Sequence, residues 1–495
     1  MAKKFFDSMP EVDRNALSLQ LFRSASEEEN FFSYGILFDT QVSSPNVSRI
    51  GNASLHRELP IQSAIKACLL LDNGNVNYYL NPTDWTKKLD GTASNLDGTD
   101  GQVMIEQPSY YIKFESIGTI RKVKISQYNL AGFTYVPKKY IGAFEGSVQR
   151  STSKFCSVVN TAVDYRGGNN NAALDAASNT LLGRPATAIS RIDFRTYARN
   201  RGSVNWNMIT YEAYKSLFWL YTIEYASLNS QSAINAALDG NGFRQGGLGD
   251  GVSNLDGTKW NNWNGYYPFV PCGYSNSLAS GTGAVSFTMP FAYDGGAAYK
   301  GDWNVATAYT LNDFVSSGAL LYKCIQANTG QAVTNTSYYT AQTRTVTNVN
   351  RYRGIELPFG HIWKWTDGVN IRIQADNAGA LSQAYTCANP SQFSNTDYAG
   401  YTLKGNLARV EGYVKEMIFG ANGDILPTVV GGGSTTWWCD YFYTNIPGAG
   451  EALRGVLFGG IASYGASAGL GCSNTSYAPS TTTALIGSRL CFLGA

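Results

Sequence analysis

The residues that could carry covalent chemistry are few, and their spacing does not favour catalysis. His56 and His361 are the two histidines of the 495-residue chain. A Ser-His-Asp or Cys-His arrangement needs one of them beside an activated nucleophile, and no Gly-x-Ser-x-Gly turn presents such a serine. His361 lies in the apolar stretch FGHIWKW, which indicates a packed structural residue. No catalytic residues are therefore predicted, although the 36 acidic residues keep a glycan hydrolase open as the enzymatic alternative.

The cysteines and the clustered aspartates give no clear metal or redox motif. Eight cysteines are scattered without a Cys-x-x-Cys pair, so we expect mostly reduced, buried thiols, with a Cys472 to Cys491 bridge left open. The tandem KLDGTASNLDGTDG brings Asp90, Asp97 and Asp100 together. This spacing lacks the acidic closing residue of a calcium loop, so it favours Asp-Gly turns over structural calcium. No metal site and no cofactor are predicted.

Residues 455–488 have a composition that suits binding. They contain no Asp, Glu, Lys or Arg, and Ser, Thr, Asn, Gly and Tyr dominate them. Tyr offers a large contact area at low rotamer cost, Ser and Asn offer adaptable hydrogen bonds, and the absence of charge lowers the desolvation penalty. A polar, β-rich terminus with glycine turns is the alternative. Apolar positions alternate with the polar ones and are expected to form the supporting core, namely Leu457, Phe458, Leu470, Leu485, Ile486 and Leu490.

The predicted binding surface joins this segment to the aromatic stretch WWCDYFY at 437–443. At least one of Trp437 and Trp438 is expected in the core, and Tyr441 or Tyr443 at the rim of the site. The predicted contact residues are Trp438, Tyr441, Tyr443, Ser463, Tyr464, Ala466, Ser473, Asn474, Ser476, Tyr477 and Ser480.

The elements that must position these residues are mostly strands. With 52 Gly, 32 Tyr, 23 Phe and only 15% charged residues, the chain is expected to be α+β, with few helices and many short strands. Three segments have helical patterns. They are an amphipathic one at 8–26, the stretch NNAALDAASNTLL at 170–182, and one at 210–227 that is apolar all round and therefore expected to be buried. A net charge of +2 does not favour nucleic-acid binding. We expect neither a secretory signal at the N-terminus nor a membrane insertion.

Residues 297–346 read as a small all-β insert. Their pattern resembles the chitin-binding-type carbohydrate modules, and four residues fall on the W, Y, V and Y positions of such modules: Trp303, Tyr309, Val315 and Tyr322. The three aromatic ones are the candidates for glycan contact. The final Trp of the pattern is replaced by Tyr338 or Tyr339, and a structural spacer with an aromatic core is the alternative.

Three stretches in order resemble landmarks of the C-type lectin fold in its formylglycine-generating-enzyme-like form. They are the helix ending in IEYAS at 227, the core strand FGHIWKW, and the closing stretch from LRGVLFGG to IGSRLCF. They look most like phage receptor-binding proteins of the major tropism determinant type and variable proteins of diversity-generating retroelements. Cys472 has no partner cysteine in place, so the oxidase activity known from this fold is not carried over. The resemblance implies a scaffold used for binding, whose tolerant positions draw on residues such as Asn, Tyr, Ser and Ala.

The expected domain order follows from these assignments. An attachment helix at 1–30 and a β-rich region at 31–102 precede a C-type lectin-like domain at 103–296 and 347–495, which is interrupted by the insert at 297–346. The expected function is a phage virion adhesin on a tail or head fibre that recognises a bacterial surface protein or glycan. The expected partners are two further copies in a homotrimer and other virion proteins at the N-terminal region. A structural fibre or baseplate component is the second hypothesis.

Overall fold

A computed structural model describes most of the chain. The described residues are 25–160, 162–165, 185–232, 241–243, 270, 272–287, 299–317, 320–342, 345–462, 464–483 and 485–494. The expected attachment helix at 8–26 therefore lies almost wholly outside them, and the helical stretch at 170–182 and Ser463 also lie outside them. No helix within these ranges combines the length and apolar character needed to cross a membrane.

Helices are few in the described ranges, and one of them is central to the molecule. Helix α5 (Tyr211–Tyr225) begins after Thr210, whose side-chain oxygen accepts a hydrogen bond from Ala213 N, and ends at Ala226 in the left-handed conformation. Every residue of α5 except Glu212 is buried, which confirms the prediction of a buried helix at 210–227. The described α-helices are α1 (Ala25–Phe32), α2 (Ala53–Glu58), α3 (Pro60–Ser63), α4 (Arg191–Arg199) and α5 (Tyr211–Tyr225).

Strands make up the rest of the regular structure, so the described chain is β-rich with few helices, as expected for an α+β protein. The first sixteen are β1 (Ser33–Asp39), β2 (Ser48–Gly51), β3 (Lys66–Leu70), β4 (Val76–Asn81), β5 (Asp84–Lys88), β6 (Gln102–Gln107), β7 (Tyr110–Ile117), β8 (Ile120–Ser126), β9 (Thr134–Val136), β10 (Lys139–Gly142), β11 (Ser147–Gln149), β12 (Lys154–Cys156), β13 (Trp206–Met208), β14 (Gly281–Phe287), β15 (Tyr299–Asp302) and β16 (Ala308–Tyr309). The others are β17 (Phe314–Ser317), β18 (Leu320–Cys324), β19 (Asn328–Thr329), β20 (Tyr339–Gln342), β21 (Thr345–Tyr352), β22 (Ile355–Glu356), β23 (Trp363–Gln374), β24 (Ser382–Thr386), β25 (Thr402–Asn406), β26 (Gly412–Phe419), β27 (Asp424–Val430), β28 (Tyr441–Tyr443), β29 (Glu451–Gly459), β30 (Gly469–Asn474), β31 (Ile486–Gly487) and β32 (Leu490–Leu493).

Two sheets contain most strands of the N-terminal third of the chain, and the second of them also includes later segments. One has the order β2-β1-β8-β7-β9, and the other has the order β13-β32-β10-β6-β3-β4-β5. The boundary expected between residues 102 and 103 cuts through β6, which pairs with β3 on one side and β10 on the other. The C-terminal strand β32 lies in the same sheet. Residues 31–102 are therefore integrated with the later chain through backbone hydrogen bonds.

The C-terminal sheet has the order β25-β24-β23-β29-β30-β28-β26-β27, with β31 paired to β23. Its two faces are covered by different cores. Phe458 of β29 packs in the core that contains α5, with its ring 4.6 Å from the Tyr214 ring. Leu457, the preceding residue, packs in a second core with Trp363 and Cys472. This sheet is thus sandwiched along β29 and β30, which makes it a rigid support.

The strands of the insert pair with one another. A sheet of order β15-β17-β18-β20 is accompanied by the small pair β16 and β19. Just outside the insert, β14 pairs antiparallel with β21, with Phe287 opposite Thr345. Paired strands therefore flank the expected segment 297–346 at both ends.

Candidate functional site

Strand β28 forms the middle of an aromatic surface. It lies between β26 and β30, and the register places Tyr441 opposite Tyr413. Because side chains alternate along a strand, Tyr441 and Tyr443 share one face while Phe442 points to the other and is buried. Two partly exposed phenols of β28 and one of β26 are thus presented together.

The rings on this face contact one another in a continuous row. Tyr441 lies 5.1 Å from Tyr413 and 4.6 Å from Tyr443, as measured between ring centroids. Tyr464 stacks on Tyr443 at 5.0 Å, and the Trp363 ring meets both edge to face at 5.7–5.9 Å. Each such pair contributes about 0.5–1.5 kcal/mol beyond area burial, so the row is held in a defined geometry before any ligand arrives.

Tyr464 is supplied by a tight turn that also brings a hydroxyl to the row. Ser467 N donates to Tyr464 O at 3.0 Å, and Ala468 N donates to Gly465 O at 3.1 Å. The Ser467 hydroxyl then lies 3.2 Å from the Tyr413 hydroxyl. Ala466 is exposed at the tip of the turn. The turn therefore bridges the two ends of the aromatic row.

Tyr477 lies on the next loop, which the backbone anchors. Gly455 N of β29 donates to Tyr477 O at 3.0 Å, and Ser476 N donates to Asn474 Oδ1 at 2.8 Å. The Tyr477 side chain is 36% exposed and contributes to the raised pKa of Tyr464. We call the set Tyr413, Tyr441, Tyr443, Tyr464 and Tyr477 the tyrosine surface.

The electrostatics of the tyrosine surface are those of neutral phenols. Burial is the main cause that raises the pKa of Tyr443 and of Tyr464 above the ordinary value, so both remain protonated at physiological pH. Glu411 stands beside the surface, and its Oε1 accepts a hydrogen bond from Thr444 N at 3.1 Å. The phenols can therefore donate and accept hydrogen bonds while their rings offer apolar area, which suits adaptable contact with proteins or sugars.

The structure brings several predicted contact residues to the outside. Tyr441, Tyr443 and Tyr464 are partly exposed members of the tyrosine surface, and Tyr477 is exposed. The remaining small residues that reach solvent, partly or fully, are Ala466, Ser476 and Ser480. Ser463 lies outside the described residues.

Three predicted contact residues are buried, and their assignment to the surface is corrected. Trp438 packs among the rings of Phe38 and Trp219 in the core around α5. Ser473 lies opposite the buried Phe442, and Asn474 uses its side-chain oxygen to hold the turn at Ser476. Both faces of β30 are covered by packed side chains, so neither Ser473 nor Asn474 reaches solvent. Trp437 is the partly exposed member of the tryptophan pair.

Sequence reasoning missed Tyr413, Ser467 and Trp363. Tyr413 alternates with the buried Val414 in the stretch EGYVKEM, which is a signal for an outward-facing ring. Its place beside Tyr441 depends on the register between β26 and β28, which lie 21 or more residues apart along the chain. The contact between the Ser467 and Tyr413 hydroxyls depends on the turn at 464–468, and no local sequence pattern predicts this contact.

His361, which the sequence analysis weighed for catalysis, lies in a buried hydrogen-bond network. His361 Nδ1 lies 2.6 Å from Glu145 Oε2, and Val270 N donates to His361 Nε2 at 3.1 Å. Burial alone would raise the pKa of Glu145, but His361 and Lys364 lower it to about 2. The His361 and Glu145 side chains are both fully buried, and His361 is confirmed as a packed residue.

The cysteines and the Asp-Gly turns have structural roles. All eight cysteines are buried free thiols, as expected, and Cys472 and Cys491 are not bridged. Asp90 Oδ1 accepts from Thr92 N and Thr92 Oγ1 at 2.9 and 2.6 Å, which confirms the turn interpretation. Asp97 makes the same two bonds to Thr99. Within the described ranges, no group of three or more His, Cys, Asp or Glu side chains is arranged to hold a metal ion.

The aromatic residues of the insert form a small core, which favours the spacer interpretation. Tyr309 is buried there with Val315 and Tyr339, so its assignment to glycan contact is corrected. Trp303 and Tyr322 pack partly buried against the same cluster. The Trp303 indole Nε1 donates to Gln331 O at 3.0 Å, which uses its polar group internally.

No protein-family model matches this chain, and no curated protein resembles it at a significant level. The geometry of the tyrosine surface is therefore the main indication of what this protein does.

Proposed function

We propose that this protein is an adhesin of a phage particle and that the tyrosine surface recognises a bacterial surface protein or glycan. The observation that supports the proposal is a continuous row of partly exposed phenols on a strand whose other face is packed against a core. Rigid aromatic anchors reduce the entropy lost on binding, and the neighbouring Ala466 and Ser476 leave space for a ligand to adapt.

We also propose a C-type lectin-like fold from the arrangement of the elements. Helix α5 packs on the sheet that contains the FGHIWKW strand β23, and β29 to β32 complete the C-terminal part. This order of elements supports a C-type lectin-like fold for the part of the chain that contains α5 and the C-terminal sheet. Superposition on an experimental C-type lectin domain would test it, and a different path through α5, β23 and β29 would contradict it.

The proposed adhesin would act in several copies on a tail or head fibre. The five rings of the tyrosine surface are expected to give each copy a modest affinity. Linking several copies raises the avidity by roughly two to four orders of magnitude. We therefore propose a homotrimer that attaches to other virion proteins through its N-terminal region. Light scattering on the purified chain tests this, and a monomer at micromolar concentration would contradict the trimer.

Attachment to cells tests the main proposal directly. Labelled protein is mixed with a panel of bacterial strains, and binding to the best strain is compared between variants. Tyr464→Ala combined with Tyr477→Ala should reduce attachment at least tenfold, because interface tyrosines commonly contribute 1 kcal/mol or more each. Ala466→Arg adds bulk and charge at an exposed position without removing a packed ring, and it should also block attachment.

The matched control is Tyr135→Ala, since Tyr135 is an exposed phenol on β9 outside the tyrosine surface. Its attachment should equal that of the unaltered protein. If Tyr135→Ala and the two surface variants attach equally well, the tyrosine surface is not the recognition site. If the unaltered protein binds none of the strains, a structural fibre or baseplate role replaces the proposal.

A further inference from the structure

A second site candidate lies away from the tyrosine surface. A cleft of about 390 Å³ opens between β7, β9, α5, the segment at 387–393 and the C-terminal end. Its walls combine aliphatic and polar residues with aromatic ones, among them Phe114, Tyr135, Trp219 and Phe393. This volume is within the range of small-molecule sites, which bind the apolar body of a ligand and orient it with a few polar groups. No residue of the tyrosine surface lines this cleft.

Lys139 is the unusual polar group of the cleft. It lies on β10, with its backbone paired to Gln107 on one side and to Leu493 on the other, and only 4% of it is exposed. Its side chain lines the cleft. Among the described residues, none forms a hydrogen bond or an ion pair with its ammonium group. Most of the Lys139 side chain is removed from water, and Glu212 attracts its charge without a direct ion pair, so an anion that enters the cleft can become its direct partner.

The other lysine and the serine of the cleft already have partners. Lys215 Nζ lies 3.0 Å from Glu212 Oε1 and 3.7 Å from Asp424 Oδ1, so its charge is matched. The Ser216 hydroxyl is bonded to Tyr110 OH at 2.8 Å and to Gln107 Nε2 at 2.7 Å. The unmatched charge of the cleft is therefore positive, and it belongs to Lys139.

The position of α5 adds to the attraction for an anion. Thr210, the N-cap residue of this 15-residue helix, lines the cleft, so the positive end of the helix dipole lies at its wall. Glu212 stands nearby and disfavours a dianion such as phosphate. The Lys139 ammonium acts as a single point charge, and the repulsion by Glu212 increases with the charge of the ligand, which favours a monoanion such as a carboxylate.

We propose that the cleft binds a small organic carboxylate whose ring-shaped or apolar body packs against the aromatic walls and whose carboxylate pairs with Lys139 Nζ. The aromatic walls set the shape of the body, and Lys139 sets the charge. Burial lowers the pKa of Lys139 to about 8. Because this pKa is still above neutral pH, most of the Lys139 side chains remain protonated there and can pair with the anion. The site is independent of cell attachment through the tyrosine surface.

The test uses the full chain with 1-naphthylacetate as the probe and neutral 1-naphthylacetamide as its matched control, both measured by ligand-observed NMR. We expect the acid to bind at least tenfold more tightly than the amide. Lys139→Met should remove this preference, whereas Lys138→Met, at the exposed neighbouring position, should keep it. Equal affinity for acid and amide, no binding of either, or undiminished acid binding by Lys139→Met would overturn the proposal.

A second measurement needs no variant. Acetic anhydride modifies lysines of the unaltered protein at pH 8, and mass spectrometry follows Lys139 and Lys138 separately. Saturating 1-naphthylacetate should slow the modification of Lys139 at least fivefold and leave that of Lys138 unchanged. Equal protection of both lysines, or of neither, would contradict a carboxylate seated on Lys139.

Discussion

Replacing Trp438 separates a core role from a binding role, because sequence reasoning placed this residue in the contact surface. Its side chain is only 3% exposed. The ring centroid lies 5.3 Å from that of Phe38, 5.8 Å from that of Phe218 and 6.1 Å from that of Trp219. These partners belong to β1 and α5, so one ring connects the N-terminal sheet, the central helix and the stretch before β28.

The expected cost follows from this environment. Removing a buried tryptophan forfeits its transfer free energy and leaves a cavity, and such changes cost about 3–5 kcal/mol. Tyr477 lies on an exposed loop, so Tyr477→Ala should change the free energy of unfolding by less than about 1 kcal/mol. Trp438→Ala should therefore lower the stability strongly and leave attachment by the folded protein nearly unchanged. Tyr477→Ala should leave the stability nearly unchanged and weaken attachment.

Urea denaturation followed by circular dichroism measures the stability of both variants, and the cell assay is run at a temperature where both remain folded. We expect the lower denaturation midpoint for Trp438→Ala, with near-normal attachment by its folded fraction. A Trp438→Ala protein of unchanged stability that fails to attach would refute the burial argument and return Trp438 to the contact surface.

Two further predictions concern packing and pH. Gly469→Ala should lower the free energy of unfolding by about 1–3 kcal/mol, since its methyl carbon would overlap the buried Asp440 carboxylate. Gly448→Ala, with nothing within 4 Å, should change it by less than about 0.5 kcal/mol; equal effects in urea denaturation would refute the packing argument. Burial lowers the pKa of Lys139 from its ordinary 10.5 to about 8, so between these values the unfolded chain binds the proton that the folded chain has released. The free energy of unfolding should therefore rise with pH across this window by at most about 3 kcal/mol. In denaturation curves recorded from pH 8 to 10.5, Lys139→Met should flatten that rise. If the free energy of unfolding of Lys139→Met rises with pH as steeply as that of the unaltered protein, burial does not lower the pKa of Lys139.

Local patterns were sufficient where a residue's environment follows from its near neighbours. The run at 210–227 is apolar all round, and such a helix can only be stable when buried. Asp90 and Asp97 are followed two residues later by Thr, and the carboxylates accept bonds from that residue. The alternating positions Leu457 and Leu470 are buried as expected.

Alternation failed where the backbone departs from a regular strand. Trp437 and Cys439 have positive φ values of 50° and 60°, so the parity of side chains cannot be counted from Tyr441 back to Trp438. Alternation also misled at Ser473 and Asn474, because it assumes that one face of a strand meets water. Both faces of β30 are covered, which depends on elements far away in the chain.

Composition and local spacing were enough to predict the β-rich class with a buried central helix, the turn chemistry of the aspartates and the uncharged C-terminal segment rich in tyrosine and serine. Three other features emerge only from the folded chain: the set of rings that forms the tyrosine surface, the pairing of β6 across the expected domain boundary, and the place of Lys139 in the cleft. The first group depends on composition and on neighbours within a few residues. The second depends on strand register and on packing between segments hundreds of residues apart, for which no local pattern carries a signal.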